Sequence, residues 1–169
     1  EIDINNNDTM CDAGPAGCPP PCEPTEPNIG RLECFRHAVA HLLDRSYVMT
    51  TIVEGFGTPI YTMIPPAMGA WVLPLPPGHP LRHEYDPCEA AAILWDCDIR
   101  DHDGDGYLDW PRSIYPGPPY KRIIVDFVVR DDHTPGRKEM GNRMIWELTT
   151  NLREAYLTNL PCCPPPYTT

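Results

Sequence analysis

One short segment of the sequence carries the side chains best suited to binding a cation. It runs from Asp101 to Asp109, with carboxylates at alternating positions and a glycine directly after the third. Ca²⁺ takes about six to eight oxygen ligands, and a turn that brings the first three carboxylates inward supplies three of them. Gly106 permits the sharp bend because glycine reaches backbone angles that other residues avoid, and Leu108 is expected to anchor the loop on the core. The predicted ligands are the four carboxylates and one backbone carbonyl: Asp101, Asp103, Asp105, Tyr107 and Asp109.

This spacing resembles the DxDxDGxxD calcium loop that EF-hands, dockerins and thrombospondin type 3 repeats share. The resemblance covers nine of the 169 residues, and it implies a bound Ca²⁺ but no helix–loop–helix pair. Arg112 stands at the twelfth position, where an EF-hand has its bidentate glutamate, and Pro111 interrupts the helix that would follow. The missing oxygen then comes from water or from Asp98, the nearest further carboxylate. An acidic turn without an ion is the alternative, but four unneutralised carboxylates this close would repel one another.

No catalytic motif stands out in the rest of the sequence. The GxSxG, P-loop and dinucleotide-binding fingerprints are absent. His37 and His41 are spaced as in the helix of a zinc protease, but the residue after the first histidine is Ala38 and not the catalytic glutamate. We therefore expect surface or core histidines here and a protein that is not an enzyme. The enzymatic alternative is a calcium-dependent hydrolase that pairs an aspartate with one of the remaining histidines: His79, His83, His102 or His133.

The composition restricts the classes of partner. The formal net charge is −11, which argues against binding to nucleic acid or to anionic membranes. No stretch of about 18 apolar residues is present to span a membrane. A hydrophobic fraction of 41% is enough for the core of one domain. The 23 prolines far exceed the typical share of about 5%, so much of the backbone must be extended or turning.

The cysteines predict an oxidised, secreted protein. An even number without CxxC or Cys/His clusters at zinc spacing favours disulfides over a metal site. Disulfides persist in oxidising compartments, and the chain begins at Glu1, as a mature product does after removal of a signal peptide. The pairing is open, since eight cysteines allow about 105 connectivities. The cysteines expected to form disulfides are Cys11, Cys18, Cys22, Cys34, Cys88, Cys97, Cys162 and Cys163.

Three segments have the apolar spacing of helices. Residues 31–46 place apolar side chains on one face, and Glu89–Cys97 predicts a short helix that leads into the acidic loop. This short helix separates its flanking cysteines, Cys88 and Cys97, by about 13 Å, so they should bond to different partners. Gly136–Leu157 predicts the longest helix, with Glu147 outside its apolar stripe.

Three further segments predict strands. Tyr47–Val53 and Thr58–Ile64 are rich in β-branched residues and flank a glycine turn, which indicates a hairpin. Arg122–Arg130 is apolar on both faces and predicts the central strand of a sheet. Between them, the proline-rich residues 65–87 predict a loop that covers the core, with binding of a partner as the alternative.

Together these elements predict an α+β fold. We expect a small, compact, disulfide-stapled domain with a short, mainly antiparallel sheet, two to three helices, and Cys/Pro-rich extended terminal arms. The predicted division is an N-terminal arm at residues 1–30, a core at 31–160 that contains the calcium loop 101–109, and a tail at 161–169.

The N-terminal arm suggests how the protein is used. Ile2 and Ile4 lie on one side of a short extended segment, which suits the addition of a strand to the sheet edge of a neighbour. Such a head-to-tail contact builds a homo-oligomer or a filament. Asn7 begins an N-glycosylation pattern, so a glycan is a further expectation. We therefore expect a secreted, calcium-stabilised structural protein, a subunit of an extracellular fibre, surface layer or matrix. The alternative is a monomeric calcium-dependent module that binds carbohydrate or protein.

Overall fold

The structure, a computed structural model, describes residues 28–129 and 136–153. Several predictions concern positions outside these residues, namely those for Ile2, Ile4, Asn7, Cys11, Cys18, Cys22, His133, Cys162 and Cys163.

The described part of the chain is helical. Two of its helices, α2 and α4, continue directly into π-helical turns, and two short segments form 3₁₀ turns. The α-helices are α1 (Glu33–His41), α2 (Arg45–Tyr47), α3 (Pro87–Asp96) and α4 (Arg137–Trp146). The π-helical turns are Val48–Ile52 after α2 and Glu147–Asn151 after α4, and the 3₁₀ turns are Ile29–Arg31 and Pro66–Trp71.

The start of α3 follows from its local sequence. The Asp86 carboxylate accepts hydrogen bonds from the backbone N–H groups of Cys88 at 2.9 Å and Glu89 at 3.0 Å. This satisfies two of the donors that a helix leaves free at its first turn. Pro87 occupies the first helical position, where its fixed φ suits a helix and its missing N–H costs nothing. The predicted short helix at Glu89–Cys97 is therefore present with nearly the predicted bounds.

The core lies where α1 and α3 pack against each other. Small residues on the facing sides, among them Ala38 and Ala90, are fully buried and allow the two backbones to approach closely. Residues from the turn before α1, from the chain after α3 and from α4 complete one buried cluster. Its members are Ile29, Phe35, Ala38, Leu42, Ala90, Ala91, Leu94, Ile99, Trp110, Met144 and Leu152.

The predicted α+β fold is wrong, because the described residues contain no sheet. Their ladder pairing is limited to one isolated antiparallel bridge between Asp109 and Arg122. Tyr47–Val53, predicted as a strand, forms helical turns up to Ile52 instead, and Thr58–Ile64 forms no strand. The Asp44 carboxylate starts the helical turns by accepting from the Tyr47 N–H at 2.9 Å. A cap and packing against α4 thus outweigh the β propensity of these residues, which is weak and dependent on context.

The predicted central strand also lacks partners. Up to Val129, the last described residue of Arg122–Arg130, no strand is formed beyond the bridge at Arg122. Ile123 and Phe127 pack against the core, while Ile124 is 72% exposed and Val128 is 89% exposed. A central strand has both faces covered, and this segment covers only one.

The prediction that every cysteine forms a disulfide is wrong for two cysteines of the described segments. Cys34 and Cys97 are free thiols that lie close to each other, Cys34 on α1 and Cys97 at the end of α3, so no bridge joins two described cysteines. Cys88 is buried and disulfide-bonded.

Candidate metal site

The acidic loop begins at a helix end of fixed geometry. Asp98 adopts a left-handed conformation with φ of 58°. Its N–H donates to the Trp95 carbonyl at 2.9 Å, and the N–H of Ile99 donates to the Leu94 carbonyl at 2.9 Å. These two bonds form a Schellman motif, which usually brings an apolar contact with it. Here the apolar residues are Leu94 and Ile99, both fully buried, so the core determines the direction in which the chain enters the loop.

The base of the loop is closed by backbone hydrogen bonds. The Asp109 N–H donates to the Arg100 carbonyl at 3.0 Å, and the Ile123 N–H donates to the Leu108 carbonyl at 2.8 Å. Leu108 packs against the core, as the sequence predicted. The loop is therefore held at both ends while its tip stays at the surface.

Three of the predicted carboxylates converge. Asp101, Asp103 and Asp109 each offer an oxygen, and these oxygens lie within 4.8 Å of one another. Oxygens bound to one Ca²⁺ at about 2.3–2.6 Å lie at most about 5 Å apart, so a single ion between these three is geometrically allowed. Asp109 is buried, Asp101 is half-buried and Asp103 is exposed, so the site lies at the surface with one buried ligand.

The bend of the loop follows its glycines. Gly104 and Gly106 have φ of 80° and 86°, in the left-handed region that favours glycine. Their N–H groups then point at one side chain. The Asp101 carboxylate accepts from Gly104 at 2.6 Å and from Gly106 at 2.8 Å. The turn predicted at Gly106 is thus confirmed, and its backbone dipoles partly neutralise Asp101.

Asp109 experiences the repulsion that the sequence predicted for crowded carboxylates. Burial raises the pKa of Asp109, and the charges of Asp103 and Asp105 raise it further, although the His102 N–H donates to its carboxylate at 2.9 Å. A bound cation would offset both the lost hydration and the repulsion.

Asp105, predicted as a ligand, is not one of the three converging carboxylates. One of its oxygens pairs with the Arg122 guanidinium at 2.7 Å, and the other accepts from the Tyr107 N–H at 2.9 Å. The Arg122 hydrogen bond is the main reason that the pKa of Asp105 lies below its usual value. Arg122 also lies over the Tyr107 ring at 3.5 Å. Asp105 is therefore ion-paired with Arg122 and is not free to bind the metal. The Tyr107 carbonyl stays a predicted ligand.

Asp98, predicted as a source of the missing oxygen, forms ion pairs with two arginines. Arg112 donates to its two oxygens from Nε at 3.1 Å and NH2 at 3.1 Å, and Arg100 contacts it at 3.1 Å. Burial raises the pKa of Asp98, but the hydrogen bonds from Arg112 outweigh it and the net shift is downward. Arg112, which stands where an EF-hand has glutamate, thus ties the end of α3 to the far side of the loop, and water is left as the source of further ligands.

The structure also brings together a histidine cluster that no sequence pattern predicted. His41 Nε2 lies 3.1 Å from His83 Nδ1, and the His37 ring centroid lies 5.1 Å from that of His83. His41 Nδ1 lies 2.9 Å from the Glu84 carbonyl. The spacing of His37 and His41 indicated one shared helix face, but no sequence signal indicated that His83 would reach it.

Two of the histidines named for a hydrolase take other positions. His102 stacks on Tyr120 at 5.1 Å between ring centroids and contacts Asp98 at 3.7 Å, with its side chain buried. His79 accepts from the Leu81 N–H at 3.1 Å in an exposed turn.

A fully buried carboxylate is the second feature that the sequence analysis missed. Glu147 was predicted outside the apolar stripe, yet it is 0% exposed. It accepts from the Tyr85 hydroxyl at 3.1 and 3.0 Å and from the Asn151 amide at 2.8 Å, and it pairs with Arg143 at 2.5 Å. Burial, followed by the contact with Glu147, raises the pKa of Tyr85 to about 12. This network joins α4 to the segment before α3.

Comparisons with protein-family models, with curated proteins and with solved structures find no match. No helix in residues 28–129 and 136–153 has the length and apolar character needed to cross a membrane.

Proposed function

We propose that this chain is a secreted structural protein stabilised by Ca²⁺, which binds in the loop Asp101–Asp109. The observation that carries the proposal is the convergence of Asp101, Asp103 and Asp109 within 4.8 Å around a buried carboxylate. The ion would tie the end of α3 to the backbone at Leu108 and Asp109, and so to the chain around Ile123.

The ligand chemistry favours calcium over other divalent ions. The donors are carboxylate oxygens, with backbone carbonyl and water available to complete the shell. Zn²⁺ and Cu²⁺ prefer nitrogen and sulfur, and Mg²⁺ requires near-ideal octahedral geometry at shorter distances. A loop with three carboxylates suits the larger and less demanding Ca²⁺. A ligand set of this modest charge also fits the weak affinities, about 10⁻⁴–10⁻³ M, that extracellular calcium modules use.

The cysteines support the extracellular part of the proposal. Cys88 is disulfide-bonded, and disulfides persist in oxidising compartments.

The proposal is tested by calcium titration and by thermal melting with and without chelator. Saturating Ca²⁺ should stabilise the protein by about 2.7 kcal/mol at a hundredfold excess over its dissociation constant. Asp103→Asn should remove most of this effect without damage to the core, because Asp103 is exposed. Asp126→Asn is the matched control, since it makes the same chemical change at an exposed position outside the loop. A melting temperature that Ca²⁺ leaves unchanged, or equal calcium responses in the two variants, would contradict the proposal.

A binding module is the second candidate, and the exposed apolar side chains of residues 56–71 favour it. Phe56 is 85% exposed, Met63 is 99% exposed and Trp71 is 78% exposed. These side chains do not cover the core, so their apolar surface is available to a partner. Assembly by strand addition through Ile2 and Ile4 stays a prediction, and residues 28–129 and 136–153 hold no sheet to accept a strand.

Sedimentation velocity separates the two candidates. A structural subunit should form concentration-dependent oligomers, and Trp71→Ser with Met63→Ser should leave them intact if the N-terminal arm makes the contact. A monomer at all concentrations favours the binding module.

A further inference from the structure

His41 and His83 lie at the separation of two ligands in a transition-metal site, and His37 lies beside them. Two imidazole nitrogens bound tetrahedrally to Zn²⁺, at about 2.0–2.1 Å each, lie about 3.3 Å apart, and their ring centroids lie about 5.2 Å apart. The observed separation between His41 Nε2 and His83 Nδ1 is 3.1 Å. The ring centroids lie 4.9 Å apart for His41 and His83, and 5.1 Å apart for His37 and His83. The His41 and His83 nitrogens are therefore at the separation that a shared ion requires, whereas the donor atoms of all three histidines do not lie within 4.8 Å of one another, so His37 must move to join them.

The hydrogen bonds around His41 select the tautomer that a metal needs. His41 Nδ1 lies 2.9 Å from the Glu84 carbonyl, which can only accept, so Nδ1 carries the proton and donates. This leaves a lone pair on Nε2, and that lone pair faces His83. Metal-binding histidines typically show this arrangement, in which the distal nitrogen donates to a carbonyl or carboxylate that orients the ring. The Arg45 guanidinium holds the other partner by donating to the His83 carbonyl at 3.0 Å.

We propose that His37, His41 and His83 bind one divalent transition-metal ion of the Zn²⁺ class between α1 and the segment before α3, with water as the fourth ligand. In the metal-free state the proton on His83 Nδ1 bridges to His41 Nε2. On binding, the ion takes the place of this proton, which moves to His83 Nε2, so the ring stays neutral. His37 completes the site by turning its ring, which is free to move because its side chain is 50% exposed.

One carboxylate lies beside the cluster. Glu33 Oε1 lies 3.7 Å from His37 Nε2 and supplies a nearby negative charge. The cluster is separate from the acidic loop, and its all-nitrogen donor set distinguishes it from the oxygen site proposed for Ca²⁺.

Cobalt titration in saturating Ca²⁺ tests the proposal. Calcium occupies the acidic loop, and Co²⁺ reports tetrahedral nitrogen ligation through its visible absorption, which Zn²⁺ then abolishes by competition. Wild-type protein should bind one Co²⁺ without the near-ultraviolet charge transfer that thiolate ligands from Cys34 or Cys97 would produce. His83→Ala should weaken binding by more than about 100-fold, because loss of even an outer partner costs about 10–100-fold. His37→Ala should weaken it similarly.

His79→Ala is the matched control, since His79 is a nearby imidazole that contacts Leu81 and not the cluster. Equal affinities of His79→Ala and His83→Ala, unchanged affinity of His37→Ala, or thiolate charge transfer would overturn the proposal. A second measurement needs no variant. Zn²⁺ added to the wild-type protein should shift the imidazole resonances of His37, His41 and His83 in nuclear magnetic resonance spectra and leave His79 in place. The absence of these shifts would also overturn the proposal, whatever the outcome of calcium binding.

Discussion

The buried carboxylate of Glu147 allows a sharp prediction about stability. Its two oxygens accept hydrogen bonds from Tyr85 and Asn151 and pair with Arg143, so donors face both of them. Glu147→Gln keeps the shape of the side chain but replaces one oxygen with an amide nitrogen. In either orientation this nitrogen would face a donor, and Arg143 would lose its buried counter-charge.

The loss of stability expected for Glu147→Gln depends on the contacts that Arg143 keeps. Removing one partner of a buried ion pair costs about 3–5 kcal/mol, because it leaves a charge without compensation. The Arg143 side chain is 23% exposed, and Asp44 still lies 3.8 Å away. Its guanidinium also keeps its place over the rings of Tyr47 and Trp146. Because of these contacts, we expect the free energy of unfolding to fall by about 3 kcal/mol, the lower end of that range.

Urea denaturation of Glu147→Gln and of Glu139→Gln measures this loss. Glu139 lies on the same helix but is exposed, so its substitution removes only a favourable interaction with the helix dipole, at most about 1 kcal/mol. The slope of free energy against urea should be unchanged in both variants, since the same surface is exposed on unfolding. A difference of less than about 1 kcal/mol between the two variants would refute the claim that this network carries a compensated buried charge.

Two further predictions concern titratable groups. Under oxidising conditions Cys34 and Cys97 should form a disulfide by exchange with oxidised glutathione, since they are in contact. A peptide linked through Cys34 and Cys97 after non-reducing digestion would confirm this disulfide. Alkylation of both thiols after the same oxidation would contradict it. Burial raises the pKa of Tyr85 to about 12, whereas unfolded tyrosine ionises near about 10. The stability contributed by Tyr85 should therefore be complete below pH about 10 and fall as the pH rises towards 12. Tyr85→Phe should remove this fall in urea denaturation at alkaline pH, and an unchanged pH dependence would count against it.

The sequence by itself determined the features that depend on neighbouring residues. The bend at Gly106, the anchoring of Leu108 and the short helix into the loop were predicted because their causes are local. Glycine conformation, alternation of side chains and a proline at the first helical turn act over a few residues. Three of the four predicted carboxylates converge for the same reason, since one tight turn contains them all.

Tertiary structure decided which partner each charged or β-branched side chain takes. Asp105 lies in the loop but pairs with Arg122, 17 positions away in the chain, and this pairing removes it from the cluster. The strand predicted at Tyr47–Val53 became helical because a cap and packing against α4 outweigh a weak β propensity. Glu147 is buried because Tyr85 and Arg143 compensate it, and His83 joins His41 across 42 positions. Such contacts depend on how helices pack. Packing brings together residues that are far apart in the chain, and no periodic pattern in the sequence predicts which of them will meet.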